Sequence, residues 1–227
     1  RGRMFFTLTS SYYTGRYVMK SDWRVYGKKA DFKRLADKYS IDQVIARIIR
    51  NRDICGDSDI DMYLNGDIKD MHAPKDMKDA VVSVDIIEKK IKEKCRIRII
   101  GDYDIDGICS IYILYKGLLA AGADVDYVVP HRINDGYGIN EHLIDNALSD
   151  GIDTIITCDN GISAYSQVKY AKDNGMTVIV TDHHDVPFDM IDGEKKYCIP
   201  PADAVVNPKQ TSCKYPFKLL CGAGVAY

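Results

Sequence analysis

The sequence predicts an α/β protein with a doubly wound, mainly parallel sheet, preceded by a small helical segment. From residue 95 onward, short apolar runs alternate with stretches of helical periodicity, each about 10 to 15 residues long. The apolar runs are continuous and do not alternate with polar residues, which is typical of strands covered on both faces. Such an alternation of runs and helices indicates parallel strands joined by helical crossovers.

Each apolar run is expected to be a strand, and each stretch between the first four runs is expected to contain a helix. The predicted strands are residues 97–100, 125–129, 154–158, 177–181 and 204–206. The predicted helices between them are residues 107–121, 140–149 and 162–174. Because sites in such sheets form at the carboxyl ends of strands, the residues that follow each strand are the first candidates for function.

The domain organisation predicted from composition has three parts. Residues 1–18 are rich in Ser, Thr, Tyr and Gly and show no period, so we expect a disordered or non-native leader, with Met19 as the natural start. Residues 19–94 are expected to form an N-terminal helical segment, and residues 95–227 the α/β domain.

Within the helical segment, helices are predicted at residues 30–39, 41–50 and 77–94. Ser40 is the candidate N-cap of the second helix, because a hydroxyl can accept a hydrogen bond from the first turn. The acidic residues that follow are expected to lie in a solvated loop or cap. They are Asp57, Asp59 and Asp61.

Composition indicates a soluble globular protein, with 46% hydrophobic and 28% charged residues in 227 positions. No apolar run approaches the roughly 20 residues of a membrane span, so a cytoplasmic protein is expected. The seven cysteines show neither CxxC nor zinc-type spacing, and we expect buried, reduced thiols.

Charge is distributed unevenly along the chain. Residues 1–100 carry 22 basic against 15 acidic residues, whereas residues 101–227 carry 9 against 18. One interpretation is a basic half that holds a polyanion beside an acidic half that attracts a metal ion. The other is charge scattered over two solvated surfaces, and charge alone leaves both open.

Carboxylates and imidazoles follow three of the predicted strands. They form three clusters: Asp102, Asp104 and Asp106; Asp159; and Asp182, His183 and His184. Because parallel strands end at one edge of the sheet, the three clusters are expected to converge there. Oxygen ligands combined with histidine predict a divalent metal centre.

Two other classes of protein share part of this pattern. Asp-x-Asp-x-Asp-Gly also opens a calcium-binding EF-hand loop, but the twelfth position would be Ile113 where a bidentate Glu is needed, and a strand precedes the motif. Phosphatases of the haloacid dehalogenase type have Asp-x-Asp-Gly after a strand, as in Asp104 to Gly107, but the pair His183-His184 does not fit their chemistry.

The combined motifs resemble the DHH phosphoesterase superfamily, named for its Asp-His-His triplet, and within it the RecJ family of single-stranded-DNA-specific exonucleases. Asp102 stands where other phosphodiesterases of the superfamily typically have His, which favours the RecJ family. The resemblance runs from about Trp23 to the end of the chain. Its motifs, in order, are Gly101-Asp102-Tyr103-Asp104-Ile105-Asp106-Gly107, Gly136-Tyr137-Gly138-Ile139-Asn140, Cys158-Asp159-Asn160-Gly161, Thr181-Asp182-His183-His184, Val206-Asn207-Pro208 and Cys221-Gly222-Ala223-Gly224-Val225-Ala226.

The resemblance implies a two-metal phosphodiester hydrolysis with two Mn²⁺ or Mg²⁺ ions ~4 Å apart. It implies that Asp102 and Asp104 hold one ion, that Asp106 and His183 hold the other, and that Asp159 bridges the two and is a catalytic residue. His184 would contact the scissile phosphate as a catalytic and substrate-binding residue.

The resemblance also suggests roles for three residues outside this ligand set. Asp182 would orient a histidine. Arg132 would bind a substrate phosphate and Tyr137 would stack on a base, although a solvated arginine and a plain turn are the alternatives.

The resemblance further implies the activity of a 5′-to-3′ exonuclease on single-stranded DNA in recombination and repair. A monomer is expected, with a single-strand-binding protein or a helicase as candidate partners. RecJ-like proteins supply one more metal-ligand aspartate and a DNA-gripping domain beyond the point that corresponds to Tyr227, so the fragment is expected to have an incomplete two-ion site and to be inactive or weak alone.

Three alternatives stay open at the level of the sequence. Asp106 and Asp159 could act only as N-caps of the helices that follow them. The chain could be another phosphodiesterase of the superfamily, acting on oligonucleotides or cyclic dinucleotides. It could also be a non-catalytic relative that binds single strands.

Overall fold

The computed structural model describes residues 27–131 and 138–227. The chain divides into two compact units, with the boundary between Asp70 and Met71. The predicted domain boundary at residue 95 stays a prediction. Among the described residues, no helix is both long and apolar enough to cross a bilayer.

The first unit contains three short helices, α1 (Phe32–Tyr39), α2 (Gln43–Asn51) and α3 (Asp57–Asn65). They pack around a small apolar cluster. Its buried members are Leu35, Ala46, Ile49 and Ile60. Because small clusters of this kind bury little area, the side-chain caps of α1 and α2, Asp31 and Asp42, add to the stability of these two helices.

Two predictions in this unit are wrong. Asp42 is the N-cap of α2, accepting from Val44 N at 2.7 Å, whereas Ser40 is the left-handed C-cap of α1. Asp57, Asp59 and Asp61 lie within α3, whose N-cap is Gly56, and so neither in a loop nor at the cap position. Asp57 and Asp59 are in the first turn, where the positive end of the helix dipole favours their charges.

The second unit is built on a five-stranded parallel sheet, as predicted. Its strands are β1 (Arg96–Ile100), β2 (Asp124–Val128), β3 (Thr154–Cys158), β4 (Thr177–Thr181) and β7 (Ala204–Val206), in the order β2-β1-β3-β4-β7. Two further strands, β5 (Phe188–Ile191) and β6 (Glu194–Tyr197), form a separate antiparallel hairpin that the sequence analysis did not predict.

Helices cover both faces of the sheet. The helices of this unit are α4 (Ala80–Lys92), α5 (Ile105–Ala120), α6 (Glu141–Ser149), α7 (Tyr165–Asp173) and the short α8 (Gly222–Ala226). Helices α4 and α5 pack on the face that carries Ile97, Ile99 and Ile156, whereas α6 and α7 pack on the face of Ile100 and Ile155. Burial on both faces explains why the central strands β3 and β4 carry no charged residue, whereas the edge strand β2 is partly exposed and alternates charged with apolar residues.

A buried arginine, paired with two partly exposed carboxylates, interrupts the apolar face beside α6. The guanidinium of Arg98 on β1 makes two hydrogen bonds of 2.7 and 2.6 Å to Asp126, its direct neighbour on β2, and one of 2.9 Å to Asp150 at the end of α6. The hydrogen bonds that Arg98 donates to these two carboxylates outweigh the effect of burial and raise the pKa of Arg98 above its usual value. The side chain of Arg98 therefore links β1 to the edge strand β2 and to the end of α6.

Strand β7 is the other edge of the sheet, and the segment before α4 covers it. The amide of Val205 donates to the carboxylate of Asp79 at 3.2 Å. Met77 packs in a small cluster with Val206 and Tyr215. The side chain of Lys78 donates to Gln210 at 3.0 Å, which fixes the covering segment to the loop after β7.

The cysteines are all free thiols, but the expectation that they are buried is wrong for most of them. Cys158 and Cys213 are buried, whereas the others are partly or fully exposed. Cys158 lies on β3 inside the core, where burial raises the pKa of its thiol far above the usual value.

Candidate metal centre

The three predicted clusters lie together at the carboxyl ends of β1, β3 and β4. These strands are neighbours in the sheet. Asp102 follows β1 by two residues, Asp159 follows β3 directly, and Asp182 and His183 follow β4 directly. The parallel arrangement of the strands therefore places their side chains at one edge of the sheet.

Two groups of side chains at this edge have the geometry of a metal site. Asp102, Asp104 and Asp159 offer ligand atoms within 4.8 Å of one another, and so do Asp159, His183 and His184. The Nε2 atom of His183 lies 3.0 Å from Oδ1 of Asp159. Asp159 belongs to both groups and is the point at which two neighbouring cations would meet.

The backbone at Asp159 has an uncommon conformation. Its φ is 60°, in the left-handed region that few residues other than glycine adopt, although Asp tolerates it better than most. Gly161, with φ 109°, completes the turn, and a Cβ there would lie 2.5 Å from the hydroxyl of Thr157. Asp159 is not the N-cap of the helix that follows it, because α7 begins at Tyr165 and its N-cap is Ala164.

Asn160 holds this turn in place and was not predicted as a site residue. Its buried amide nitrogen donates to the carbonyl oxygens of Ile100 at 3.1 Å and Cys158 at 2.9 Å. Its oxygen accepts from the amide of Ile139 at 3.2 Å. The side chain thus joins the ends of β1 and β3 behind the candidate ligands.

The electrostatics of the cluster favour a bound cation. Burial, together with the nearby charges of Asp106 and Asp104, raises the pKa of Asp159 to about 7. Packing several carboxylates side by side is unfavourable unless positive charge compensates them. Carboxylate oxygens fit Mn²⁺ or Mg²⁺, and the added imidazole nitrogen suits Mn²⁺, so the residues present are suited to hold a divalent ion.

Asp182 orients His184. The Oδ1 atom of Asp182 lies 2.7 Å from Nδ1 of His184 and also accepts from the backbone amides of His183 and His184, at 2.7 and 3.1 Å. Burial opposes the charge of Asp182, but the hydrogen bonds from His184 and from the amide of Ile162 hold its pKa below the usual value. The same hydrogen bond raises the pKa of His184.

Comparison with known proteins identifies the family. Residues 96–227 match the family described as "DHH family, N-terminal domain". The chain belongs to the DHH family. The Asp-His-His triplet from which the DHH family takes its name is Asp182-His183-His184 in this chain.

Relatives within the DHH family include single-stranded-DNA-specific exonucleases named RecJ. The chain is 34% identical to the RecJ of Bacillus subtilis over 92% of its own length and 25% of the relative's. It is 40% identical to that of Salmonella typhimurium over 64% of its own length and 24% of the relative's. The chain thus spans about a quarter of the length of the curated relatives it matches.

A solved DHH-family structure shows the same fold. It is a crystal structure of exonuclease RecJ bound to manganese, with a TM-score of 0.56 and 34% identity over 68% of this chain and 37% of that one. Together, the family match and this structure establish a RecJ-like DHH domain in the chain.

The alternative that Asp106 in the first DHH-family motif is only a helix N-cap is wrong. Asp104, and not Asp106, is the N-cap of α5, accepting from the amides of Asp106 and Gly107 at 2.9 Å each. The carboxylate of Asp106 accepts from the amides of Gly222 and Ala223, at 2.7 and 2.8 Å, and lies 3.5 Å from Nε2 of His183. Asp106 therefore connects the start of α8 to the candidate metal centre.

Two further polar or small residues support the DHH-family site and were not predicted as site residues. The amide nitrogen of Asn207, which is fully buried, donates to the carbonyl oxygen of His184 at 3.0 Å. A Cβ atom at Gly222 would lie 2.6 Å from Oδ1 of Asp159. Two of the predicted substrate-binding residues, Arg132 and Tyr137, lie outside the described residues.

The contact at Gly222 gives a prediction about metal affinity. Gly222→Ala is expected to displace the carboxylate of Asp159 and weaken Mn²⁺ binding by about tenfold to 100-fold, the range seen when groups that hold a ligand are disturbed. Isothermal titration calorimetry with Mn²⁺ measures this effect.

Gly224→Ala on the same helix is the matched control. Its Cβ would lie 3.2 Å from the end of the flexible side chain of Leu220, which can move away. If both variants bind Mn²⁺ with the same dissociation constant, the close approach of Gly222 does not position Asp159.

Proposed function

We propose that this chain contributes metal ligands to the active site of a metal-dependent phosphodiesterase that degrades single-stranded DNA from the 5′ end. The observation that carries the proposal is the position of Asp159 at one edge of the sheet. Asp159 belongs both to the cluster with Asp102 and Asp104 and to the cluster with His183 and His184. The similarity to exonucleases named RecJ supports single-stranded DNA as the substrate. By the same similarity, recombination and repair are the proposed setting.

The proposed ligands are the carboxylates of the two groups, His183, and Asp106, whose carboxylate lies beside His183. Asp102 and Asp104 would hold one Mn²⁺ or Mg²⁺ ion, Asp106 and His183 the other, and Asp159 both. When bound, such a pair supplies an activated water and positive charge beside the phosphate. The hydrogen bonds that Asp106 accepts from Gly222 and Ala223 fix its carboxylate 3.5 Å from His183.

His184 is the proposed contact to the scissile phosphate. Asp182 engages its Nδ1 atom, so Nε2 is the nitrogen that would donate to a phosphate oxygen. The raised pKa of His184 favours the protonated ring, which carries the charge needed to stabilise a more negative transition state. Asp182 and Asn207 hold the backbone and ring of His184 in position.

Removal of metal tests the proposal. The full-length protein is expected to degrade a 5′-phosphorylated single strand in the presence of Mn²⁺, to lose all activity in EDTA, and to regain it when Mn²⁺ is restored. Gel electrophoresis of a strand labelled at its 3′ end measures the rate and shows the end from which nucleotides are released.

Four results would contradict parts of this proposal. Degradation that continues in EDTA would exclude the metal mechanism. Binding of the strand without degradation would favour a non-catalytic relative that holds single strands. Release of nucleotides from the 3′ end would exclude the proposed polarity, and cleavage of short oligonucleotides alone would favour another phosphodiesterase.

A further inference from the structure

The β5–β6 hairpin begins four residues after His184 of the candidate metal centre. Val186 before it and Ile199 after it pack in the core, and Cys198 N donates to Pro187 O at 2.8 Å across its base. All eight strand residues beyond this base are exposed. The core therefore fixes the base of the hairpin and leaves its strands in solvent.

The turn and register of the hairpin are well defined. Asp192 and Gly193 both have positive φ, 53° and 81°, as in the two-residue turns that match the twist of paired strands. Phe188 pairs with Tyr197, and Met190 pairs with Lys195. Because side chains alternate along a strand, these four share one face, which we call the aromatic face.

The opposite face differs in chemistry. It carries Asp189, Ile191, Glu194 and Lys196, so acidic side chains surround its single lysine. Within the hairpin, the aromatic face has no acidic residue and one cation, Lys195. The two faces thus have opposite net charge.

The side chains of the aromatic face contact one another. The rings of Phe188 and Tyr197 are in edge contact, with centroids 5.8 Å apart, and Nζ of Lys195 lies 4.1 Å above the ring of Phe188. The exposed fractions of Phe188, Tyr197 and Met190 are 42%, 40% and 60%. Exposed rings beside a cation are the features that bind single-stranded nucleic acid, because bases stack on rings and phosphates pair with cations.

We propose that the aromatic face of the β5–β6 hairpin holds the single-stranded DNA substrate close to the metal centre. The positive charge of Lys195 complements the phosphates, and the two rings offer a stacking surface for any base. Phe188 follows His184 by four residues, so it lies within roughly 14 Å of His184 along the chain. This proposal rests on the proposed function for the identity of the strand.

Binding in EDTA tests the hairpin without hydrolysis. The probe is a 20-nucleotide dT strand with fluorescein at its 3′ end, titrated with the full-length protein and followed by fluorescence anisotropy at several salt concentrations. Lys195→Gln is expected to weaken binding about threefold or more and to reduce the salt slope by about 0.7, the value for one phosphate contact on a single strand.

Lys196→Gln is the matched control, since it removes the same charge from the neighbouring residue on the opposite face. Its dissociation constant is expected to stay within about twofold of the wild-type value, because acidic neighbours already offset this lysine. Equal effects of the two lysine variants would overturn the proposal.

Replacing residues 188–197 with two glycines tests the rings as well. The ends are already joined by the hydrogen bond between Cys198 and Pro187, so the core is expected to stay folded, with an unchanged circular dichroism spectrum. The variant is expected to bind the strand at least about fivefold more weakly, as stacking of one base contributes this much or more. Binding at wild-type affinity would overturn the proposal.

A kinetic measurement separates this proposal from the proposed function. With Mn²⁺, the hairpin variants are expected to raise KM and leave kcat at saturating substrate unchanged, because they do not alter the candidate ligands. If the wild-type protein binds the strand through Lys195 but never degrades it, the proposed function fails and the hairpin proposal stands.

Discussion

Asp159→Asn is expected to lower the rate of single-strand degradation by roughly 1000-fold, which corresponds to about 4 kcal/mol of transition-state stabilisation. Asp159 belongs to both groups of candidate ligands, so its substitution removes a ligand from both candidate ion positions at once. The rate with Mn²⁺ on a 5′-phosphorylated strand measures the effect on activity, and calorimetry measures the accompanying loss of Mn²⁺ affinity.

Asp185→Asn is the matched control for this variant. Asp185 follows the triplet directly, its side chain is 93% exposed, and its partner is Lys209 on the surface. Its substitution is expected to change the rate by less than about twofold. If Asp159→Asn retains the rate of this control, Asp159 is not a ligand.

A stability measurement excludes unfolding as the cause. The pKa of Asp159 is raised in the folded protein, so its ionised form opposes folding at neutral pH in the absence of metal. The neutral Asn side chain removes that cost. The metal-free variant is therefore expected to melt at the same or a higher temperature than the metal-free wild-type protein.

The sheet could be predicted from sequence because its central strands are buried on both faces. Residues 154–158 and 177–181 were predicted with the same limits as β3 and β4. Both runs consist of Thr, Ile, Val and Cys without a charged residue, and an aspartate follows each of them directly, which is a local signal. The convergence of the three clusters followed from strand direction alone.

Other elements had weak local signals. Helix α3 carries acidic residues and a narrow apolar stripe, with only Ile60 buried, so its sequence resembles a loop. The β5–β6 hairpin has a turn signal in Asp192-Gly193, but all its strand residues are exposed and lack the usual alternation of buried and exposed positions.

The supporting contacts of the site could not be predicted because they are distant in sequence. Asn160 donates to Ile100, 60 residues earlier, and Gly222 donates to Asp106, 116 residues earlier. Sequence identifies an asparagine in a turn or a glycine at the start of a helix, but not the partner that each contacts. These partners depend on the tertiary fold.

Asp126→Ala is expected to lower the free energy of unfolding by about 3 kcal/mol. It leaves Arg98, whose side chain is 9% exposed, with Asp150 as the remaining carboxylate of its ion pair. Removing one partner of a buried pair is costly because the other charge stays buried. Urea denaturation followed by circular dichroism measures the change.

Two further variants test whether the cost comes from the buried charge of Arg98 and not from the loss of a carboxylate as such. Arg98→Met combined with Asp126→Ala is expected to be more stable than Asp126→Ala alone, because no buried charge is left. Asp124→Ala, on the same strand but with a side chain that is 65% exposed, should cost less than about 1 kcal/mol. A double variant less stable than Asp126→Ala would contradict this account.

The covered edge at β7 has a consequence for self-assembly. An edge strand with unpaired amides can recruit a strand from another molecule and so promote aggregation. Here the amide of Val205 is occupied by Asp79, β7 is three residues long, and the opposite edge carries Asp124 and Asp126. Growth of the parallel sheet from one copy of the chain into the next is therefore disfavoured at both edges.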